Sequence, residues 1–279
     1  MRRIYLRDLI CKSVKETVAG SENPGVCLSG GMDSSTVMAF AQELPAFTGY
    51  YEGEPYDERK WARLARGREH HEILIQPHDF VDHFDDMLAA VAPPYTGPGM
   101  LGQYVVAKYA VHHVDTLLTG EGGDELFGGY ARVIIVAGEK PPLGYEDYKL
   151  PEGYPTNLRV ALELEFEALQ NLLRVDAQIA GAFGLEVKTP LLHPEIVEWV
   201  IHQSPDARVG KRMLRQAMRG YVDNAILDRK DKRGFPVPFV DWAQREPVKS
   251  FVSNRIGYVP DPAKPWDRTW WQHLTEMSS

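Results

Sequence analysis

Ser29-Gly30-Gly31-Met32-Asp33-Ser34-Ser35 lies between two apolar runs, Val26-Cys27-Leu28 before it and Thr36-Val37-Met38-Ala39-Phe40-Ala41 after it. The pattern reads as a buried strand, a tight turn and the opening of a helix. Adjacent glycines let the backbone turn sharply and come close to a ligand. The free N–H groups of the helix's first turn, with the positive end of its dipole, then favour an anion in the turn. Ser29, Ser34 and Ser35 add hydroxyl donors. Asp33 would repel a bare phosphate, so its presence makes sense if a hard cation such as Mg²⁺ lies between carboxylate and phosphates. An ordinary strand–helix turn with capping serines uses the same residue types, and short glycine motifs recur by chance.

Outward from this stretch, strand and helix alternate. Apolar residues at 6, 9, 10, 14 and 18 predict an amphipathic helix before it. After it come a strand at 46–51, a helix from Tyr56-Asp57-Glu58 to about Gly67, a strand at 71–75 and a helix at 79–91. Such alternation predicts an α/β fold with a doubly wound, mainly parallel sheet. Residues 92–99 are too rich in Pro and Gly for a regular element, and a helix near 103–112 leads to a strand at 116–119. Residues 138–156 read as a surface loop. From residue 157 the pattern turns helical, with one long amphipathic helix at 158–179 and shorter ones near 195–203 and 211–220. We therefore expect one domain over 1–279, with an α/β nucleotide-binding part at 1–137 and a mostly helical part at 157–279.

Whole-chain properties narrow the class. The 279 residues can enclose a sizeable core. A net charge of −8 disfavours non-specific nucleic-acid coating or an anionic membrane surface. The two cysteines, Cys11 and Cys27, form no Cys-x-x-Cys pair and suggest neither a disulfide framework nor structural zinc. No signal peptide or membrane span is legible, so a cytoplasmic location is expected. The basic residues Arg208, Lys211, Arg212, Arg215 and Arg219 read as one solvated helix face. The pairs His70-His71 and His112-His113, being adjacent, make poor two-ligand metal sites and read as structural, as Trp266 and Trp270-Trp271 read as packing.

A second loop carries equal weight. The strand at 116–119 runs into Gly120-Glu121-Gly122-Gly123-Asp124-Glu125-Leu126-Phe127-Gly128-Gly129-Tyr130. Glu121, Asp124 and Glu125 have i, i+3, i+4 spacing and would share one side of a helical turn. Carboxylates this close are unfavourable unless a cation or proton is shared. In an open α/β sheet, ligands bind beyond the carboxyl ends of the strands, where both loops should lie. Two acidic, glycine-rich loops at one edge suggest a nucleotide–Mg²⁺ site with Asp33 and Asp124 as metal ligands.

With both motifs in view, the chain resembles the N-type ATP pyrophosphatases, whose Ser-Gly-Gly-x-Asp-Ser loop binds pyrophosphate. The stretch 119–130 is most similar to the Ser-Gly-Glu-Gly-x-Asp-Glu-x-Phe-Gly-Gly-Tyr of the asparagine synthetase synthetase domain. Tyr56-Asp57-Glu58, His70-His71-Glu72, the run 186–192 and the run 229–235 appear in matching order. The resemblance implies a five-stranded adenine nucleotide α-hydrolase-like sheet. It implies an ATP-dependent, AMP-forming carbon–nitrogen ligase that adenylates a carboxylate and passes it to ammonia or an amine, with aspartate as the default acceptor. By resemblance, Ser29, Gly30, Gly31, Asp33 and Ser34 hold phosphates, Leu28, Gly49, Thr119 and Gly120 flank adenine, and Asp33 and Asp124 bind Mg²⁺. Lys232 would be the cation at the reacting phosphates, and Glu121 the base that takes a proton from the attacking nitrogen.

Two departures qualify that expectation. The chain begins directly at the synthetase-type part, so ammonia would come free, from a separate glutaminase subunit, or be replaced by another amine. The acceptor stretch, usually Glu-Pro-x-x-Asp-Pro-Ser, reads Pro93-Pro94-Tyr95-Thr96-Gly97-Pro98-Gly99. Lost acidic partners leave open a different carboxylate, as in a lactam-forming synthetase. The fold also admits an enzyme that adenylates a nucleobase or RNA carbonyl.

Overall fold

The structure, a computed structural model, describes residues 2–53, 57–230, 237–263 and 269–277. Its strands are β1 (Pro24–Cys27), β2 (Pro45–Tyr50), β3 (Glu69–Leu74), β4 (Thr116–Leu118) and β5 (Glu186–Lys188). All pair in parallel, in the order β3-β2-β1-β4-β5. The helices of the first half are α1 (Arg2–Ala19), α2 (Met32–Met38), α3 (Arg59–Ala65), α4 (Pro77–Ala89), α5 (Met100–Ala110), α6 (Gly123–Leu126) and α7 (Ala131–Val136). Then follow α8 (Leu158–Gly181), α9 (Pro194–Ile201), α10 (Pro205–Arg208), α11 (Arg212–Ala217), α12 (Asn224–Leu227), α13 (Phe239–Trp242), α14 (Val248–Ile256) and α15 (Thr269–Glu276).

The period of two along each strand sorts side chains to opposite faces of the sheet. Val26, Ala46 and Leu118 enter one core with Leu6, Ile10 and Val14 of α1. Phe47 and Leu117 enter the other with Phe80 and Phe84 of α4 and Val175 of α8. Both faces are therefore covered by helices, the condition under which short, continuously apolar parallel strands are stable. Full burial of a residue such as Phe47 contributes about 1.5–3 kcal/mol. The long helix α8 starts where Asn157 accepts hydrogen bonds from the N–H groups of Arg159 and Val160, at 3.0 and 3.3 Å. It places Leu162, Leu169, Val175 and Ile179 inward. The fifth strand comes from the mainly helical half, so that half completes the sheet rather than standing apart from it.

Trp270 stacks on Phe239 with ring centroids 4.1 Å apart, as a packing residue should; Trp266 lies outside the described residues. His70 Nε2 is 2.7 Å from Thr48 Oγ1, while His71 stacks on Phe47, so the adjacent histidines point different ways. The solvated basic face does not exist. Gly210 and Lys211 take left-handed φ values of 62° and 58°, which ends one helix and delays α11 to Arg212. Residues 208–219 thus share no single helical face, and Arg208 and Lys211 are buried. Arg208 Nε donates to Leu126 O at 2.7 Å, whereas Arg212 and Arg219 pair at the surface with Glu139 and Asp228.

Candidate active site

Chain order reverses between β1 and β4. From β1 the chain winds to β2 and β3 on one side, then returns to β4 and β5 on the other. The loops leaving β1 and β4 therefore meet at the carboxyl edge, at the switch point where open α/β sheets bind ligands. They meet in contact. Gly30 has φ +76°, and a Cβ there would lie 2.5 Å from Ala62 N of α3. A Cβ at Gly123 would lie 2.3 Å from Asp33 Oδ1. Gly30, Gly120 and Gly123 thus let the loops close on α3 and on each other, while Gly31, Gly120 and Gly122 line the space between them. Within the first loop, Ser29 N donates to Ser34 Oγ at 3.2 Å, the two hydroxyl oxygens are 3.1 Å apart, and Gly31 N donates to Ser29 Oγ.

Beneath these loops is a cavity of 380 Å³, within the usual range for a small-molecule site. Leu28, Ser29, Gly31, Asp33, Ser34, Gly49, Thr119, Gly120, Glu121 and Asp124 all line it. Lys232 lies outside the described residues. The basic run that carries it nevertheless starts at this wall: the enclosed side chain of Arg229 pairs with Glu58, a lining residue, and its guanidinium is 4.7 Å from the Trp61 ring centroid.

The three acidic residues of the second loop do not share a helical turn. Gly122 is left-handed at φ 87° and α6 begins only at Gly123, so Glu121 precedes the helix. Each acid has its own surroundings. Asp124 Oδ1 is 2.6 Å from Lys211 Nζ, which also pairs with Asp33. Glu125 is buried and accepts a hydrogen bond from Tyr130; burial raises its pKa against the effect of that bond. Glu121 is half-buried and lines the cavity. Its pKa stands well above the carboxylate range because burial disfavours the charge, with Asp176, Glu125, Asp124 and Asp33 adding like-charge repulsion. Asp176, on α8, is pushed up to about 7, first by burial, against the hydrogen bond it accepts from Gln103 Nε2 at 2.5 Å.

The donors at Asp33 and Asp124 fit a hard divalent ion. Mg²⁺ is normally held by one or two carboxylates together with substrate phosphates. Asp33 Oδ1 is buried with no hydrogen-bond partner among the described residues, so a lone pair is left for a ligand. Among the described residues no group of three His, Cys, Asp or Glu side chains could hold a metal by itself.

Sequence reasoning missed Lys211 and Asp176. Gly210 was the available sign that the basic run leaves the helix before Lys211. Asp176 lies on the apolar stripe of α8, seven residues after Leu169 and three before Ile179. An acid in such a stripe is either paired in the core or turned into a cavity, and Asp176 lines this one.

Comparison with known proteins agrees with this arrangement. The asparagine synthase family matches residues 5–143 and 146–264. The asparagine synthetase [glutamine-hydrolyzing] 1 of Bacillus subtilis is 26% identical over 90% of this chain and 52% of its own length. The asparagine synthetases [glutamine-hydrolyzing] of Bos taurus and Mus musculus are 29% and 28% identical, each over 74% of this chain and 37% of theirs. The chain thus spans about half, or less, of these curated relatives. No helix among the described residues is long and apolar enough to cross a membrane. Because the match runs through both loops, the acidic cavity and the helical half that completes the sheet, the chain belongs to the asparagine synthase family.

Proposed function

We propose that this protein is an AMP-forming amide ligase: it activates a carboxylate with ATP as an acyl-adenylate, releases pyrophosphate, and transfers the acyl group to ammonia or an amine. Aspartate and ammonia are the default pair, with ammonia arriving free or from a separate glutaminase subunit. The observation that carries this reading is the single cavity lined by Ser29, Asp33 and Ser34 of one loop and Glu121 and Asp124 of the other. Adenylation needs donors for a highly charged leaving group beside a base for the second step, and the two loops offer one each.

Ser29 and Ser34 exchange their mutual hydrogen bonding for bonds to phosphate oxygens, with backbone N–H groups of the loop. Leu28, Gly49, Thr119 and Gly120 form the adenine wall. Mg²⁺ held by Asp33 and Asp124 would neutralise charge growing on pyrophosphate. Lys232 is assigned to the reacting phosphates by family resemblance. Glu121 accepts a proton from the attacking nitrogen. Its raised pKa suits that task, since a base of higher proton affinity is better matched to an ammonium-type proton.

One observation favours a second acceptor within the same chemistry. Gly97 and Gly99 line the cavity where the family usually has Asp and Ser, and a Cβ at either would meet nothing within 4 Å. That space suits an acid bulkier than aspartate, or one without an α-ammonium group. The test is release of AMP and pyrophosphate from Mg²⁺-ATP and ammonium across a panel of carboxylates. Turnover with aspartate supports the default, turnover with another acid alone moves the reading to that acid, and no acid-dependent AMP release would sink the ligase assignment.

A further inference from the structure

The ammonium of Lys211 stands between the two carboxylates assigned above to a metal ion. Its Nζ pairs with Asp33 Oδ2 and lies 2.6 Å from Asp124 Oδ1. Lys211 is 4% exposed. Its backbone is fixed to the second acidic loop: Lys211 N donates to Phe127 O at 2.9 Å and Gly210 N donates to Gly128 O at 2.8 Å. Lys211 keeps a left-handed φ of 58°, a conformation unfavourable for a side chain with a Cβ. The Lys211 side chain lies against Gly129, where a Cβ would be 2.2 Å from Lys211 Cε and 1.9 Å from Asp124 Oδ1. Backbone strain, pinned loops and a missing Cβ together deliver one cation to one place.

That place is where a divalent ion would sit if it touched both carboxylates. Ammonium and metal cannot both occupy it, and each removes the same repulsion between Asp33 and Asp124. We infer that Lys211 is a resident counter-cation: in the nucleotide-free protein it holds the carboxylates together and competes with a divalent ion for them. A metal then enters only with nucleotide phosphates, whose negative charge takes up the displaced ammonium. Lys211 is thus a positioning residue that couples metal binding to nucleotide binding. The inference rests on Asp33 and Asp124 being the metal ligands.

Mn²⁺ is the probe, with free ion counted by electron paramagnetic resonance. For the wild type, Mn²⁺ alone should bind at least ten-fold more weakly than Mn²⁺ with a non-hydrolysable α,β-methylene ATP analogue. Lys211→Met keeps the length and removes the charge, and should bind Mn²⁺ alone at least ten-fold more tightly than wild type. Unchanged or weaker binding by that variant overturns the inference, since a merely structural lysine would not hold metal off. If Lys211→Met folds only when Mn²⁺ is present, the ion has replaced the ammonium and the inference stands. If it does not fold at all, the wild type decides: equal Mn²⁺ affinity with and without the analogue refutes competition while leaving the metal ligands in place. Wild type that binds no Mn²⁺ even with the analogue removes the metal reading and the inference together.

Discussion

The two sides of the cavity are built by opposite rules. On the side proposed for the nucleotide, loops leave neighbouring strands and close on each other until a single Cβ at Gly123 would overlap Asp33. Buried charges there are compensated by a buried cation. On the opposite side, proposed above for the acceptor, the wall comes from the loop before α5 and from the helices α5 and α8. Gly97 and Gly99 leave open space, and Gln103 and Asp176 are the polar groups. Close packing fixes geometry and tolerates little change. Gly99, with helical φ and ψ, would accept a side chain at small cost, whereas Gly97 at φ +136° has the space but strains any residue with a Cβ. On the proposed reading, the contrast separates a nucleotide half held by packing from an acceptor half with room at Gly97 and Gly99.

The largest effects should fall on the packed side. Asp33→Asn removes a charge proposed to hold the metal and should abolish AMP formation, with circular dichroism and the unfolding temperature checking that the fold survives. A fully active variant would break the comparison at its strongest point. Glu121→Gln should slow amide formation roughly 10²–10⁴-fold and ATP–pyrophosphate exchange much less. Equal loss in both assays would remove Glu121 from the second step. Because burial raises its pKa, wild-type amide formation should climb with pH beyond the ordinary carboxylate range, and Glu121→Gln should flatten that limb.

A matched pair of glycine substitutions tests the packing itself. Gly123→Ala forces a Cβ to 2.3 Å from Asp33 Oδ1, and should cost roughly 1–3 kcal/mol in urea unfolding. Gly99 has φ −60° and ψ −21°, and its Cβ would meet nothing within 4 Å. Gly99→Ala should therefore change stability by no more than about 0.5 kcal/mol. If both variants unfold alike, the two walls are not built differently.

The same contrast explains what the sequence could reveal. Strands β1 to β4 were legible because short apolar runs alternate with helical periodicity, and the site's place followed from where such strands end. Asp33, Glu121 and Asp124, singled out as carboxylates beside glycine-rich turns, all line the one cavity. The fifth strand was not located by pattern, since Glu186-Val187-Lys188 is three residues with one apolar side chain. Lys211 escaped because its role depends on a left-handed pair at 210–211 that interrupts an otherwise helical basic spacing. Asp176 escaped because a single acid within a long amphipathic helix shows its meaning only when the space opposite it is known.

Asp176 gives an effect visible only through pH, and the one that separates a cavity acid from a core acid. A carboxyl whose pKa rises from 3.8 to about 7 on folding binds protons more tightly in the native state than in the unfolded chain. Stability then falls as pH rises between those values, and the full cost is present above pH 7. The size is on the order of a few kcal/mol at most, because one unit corresponds to about 1.4 kcal/mol. Asp176→Asn keeps an oxygen to accept the Gln103 hydrogen bond and removes the charge. It should unfold at a higher temperature than wild type at pH 8, with the difference shrinking toward pH 4. An acceptor that brings a positive group to this wall would reverse the balance, by favouring ionised Asp176 in the complex. Bound to such an acceptor, wild type should close the gap with Asp176→Asn at pH 8, and an acceptor without positive charge should leave it open. The sign of that change would tell whether Gln103 and Asp176 face an ammonium group or a neutral part of the substrate.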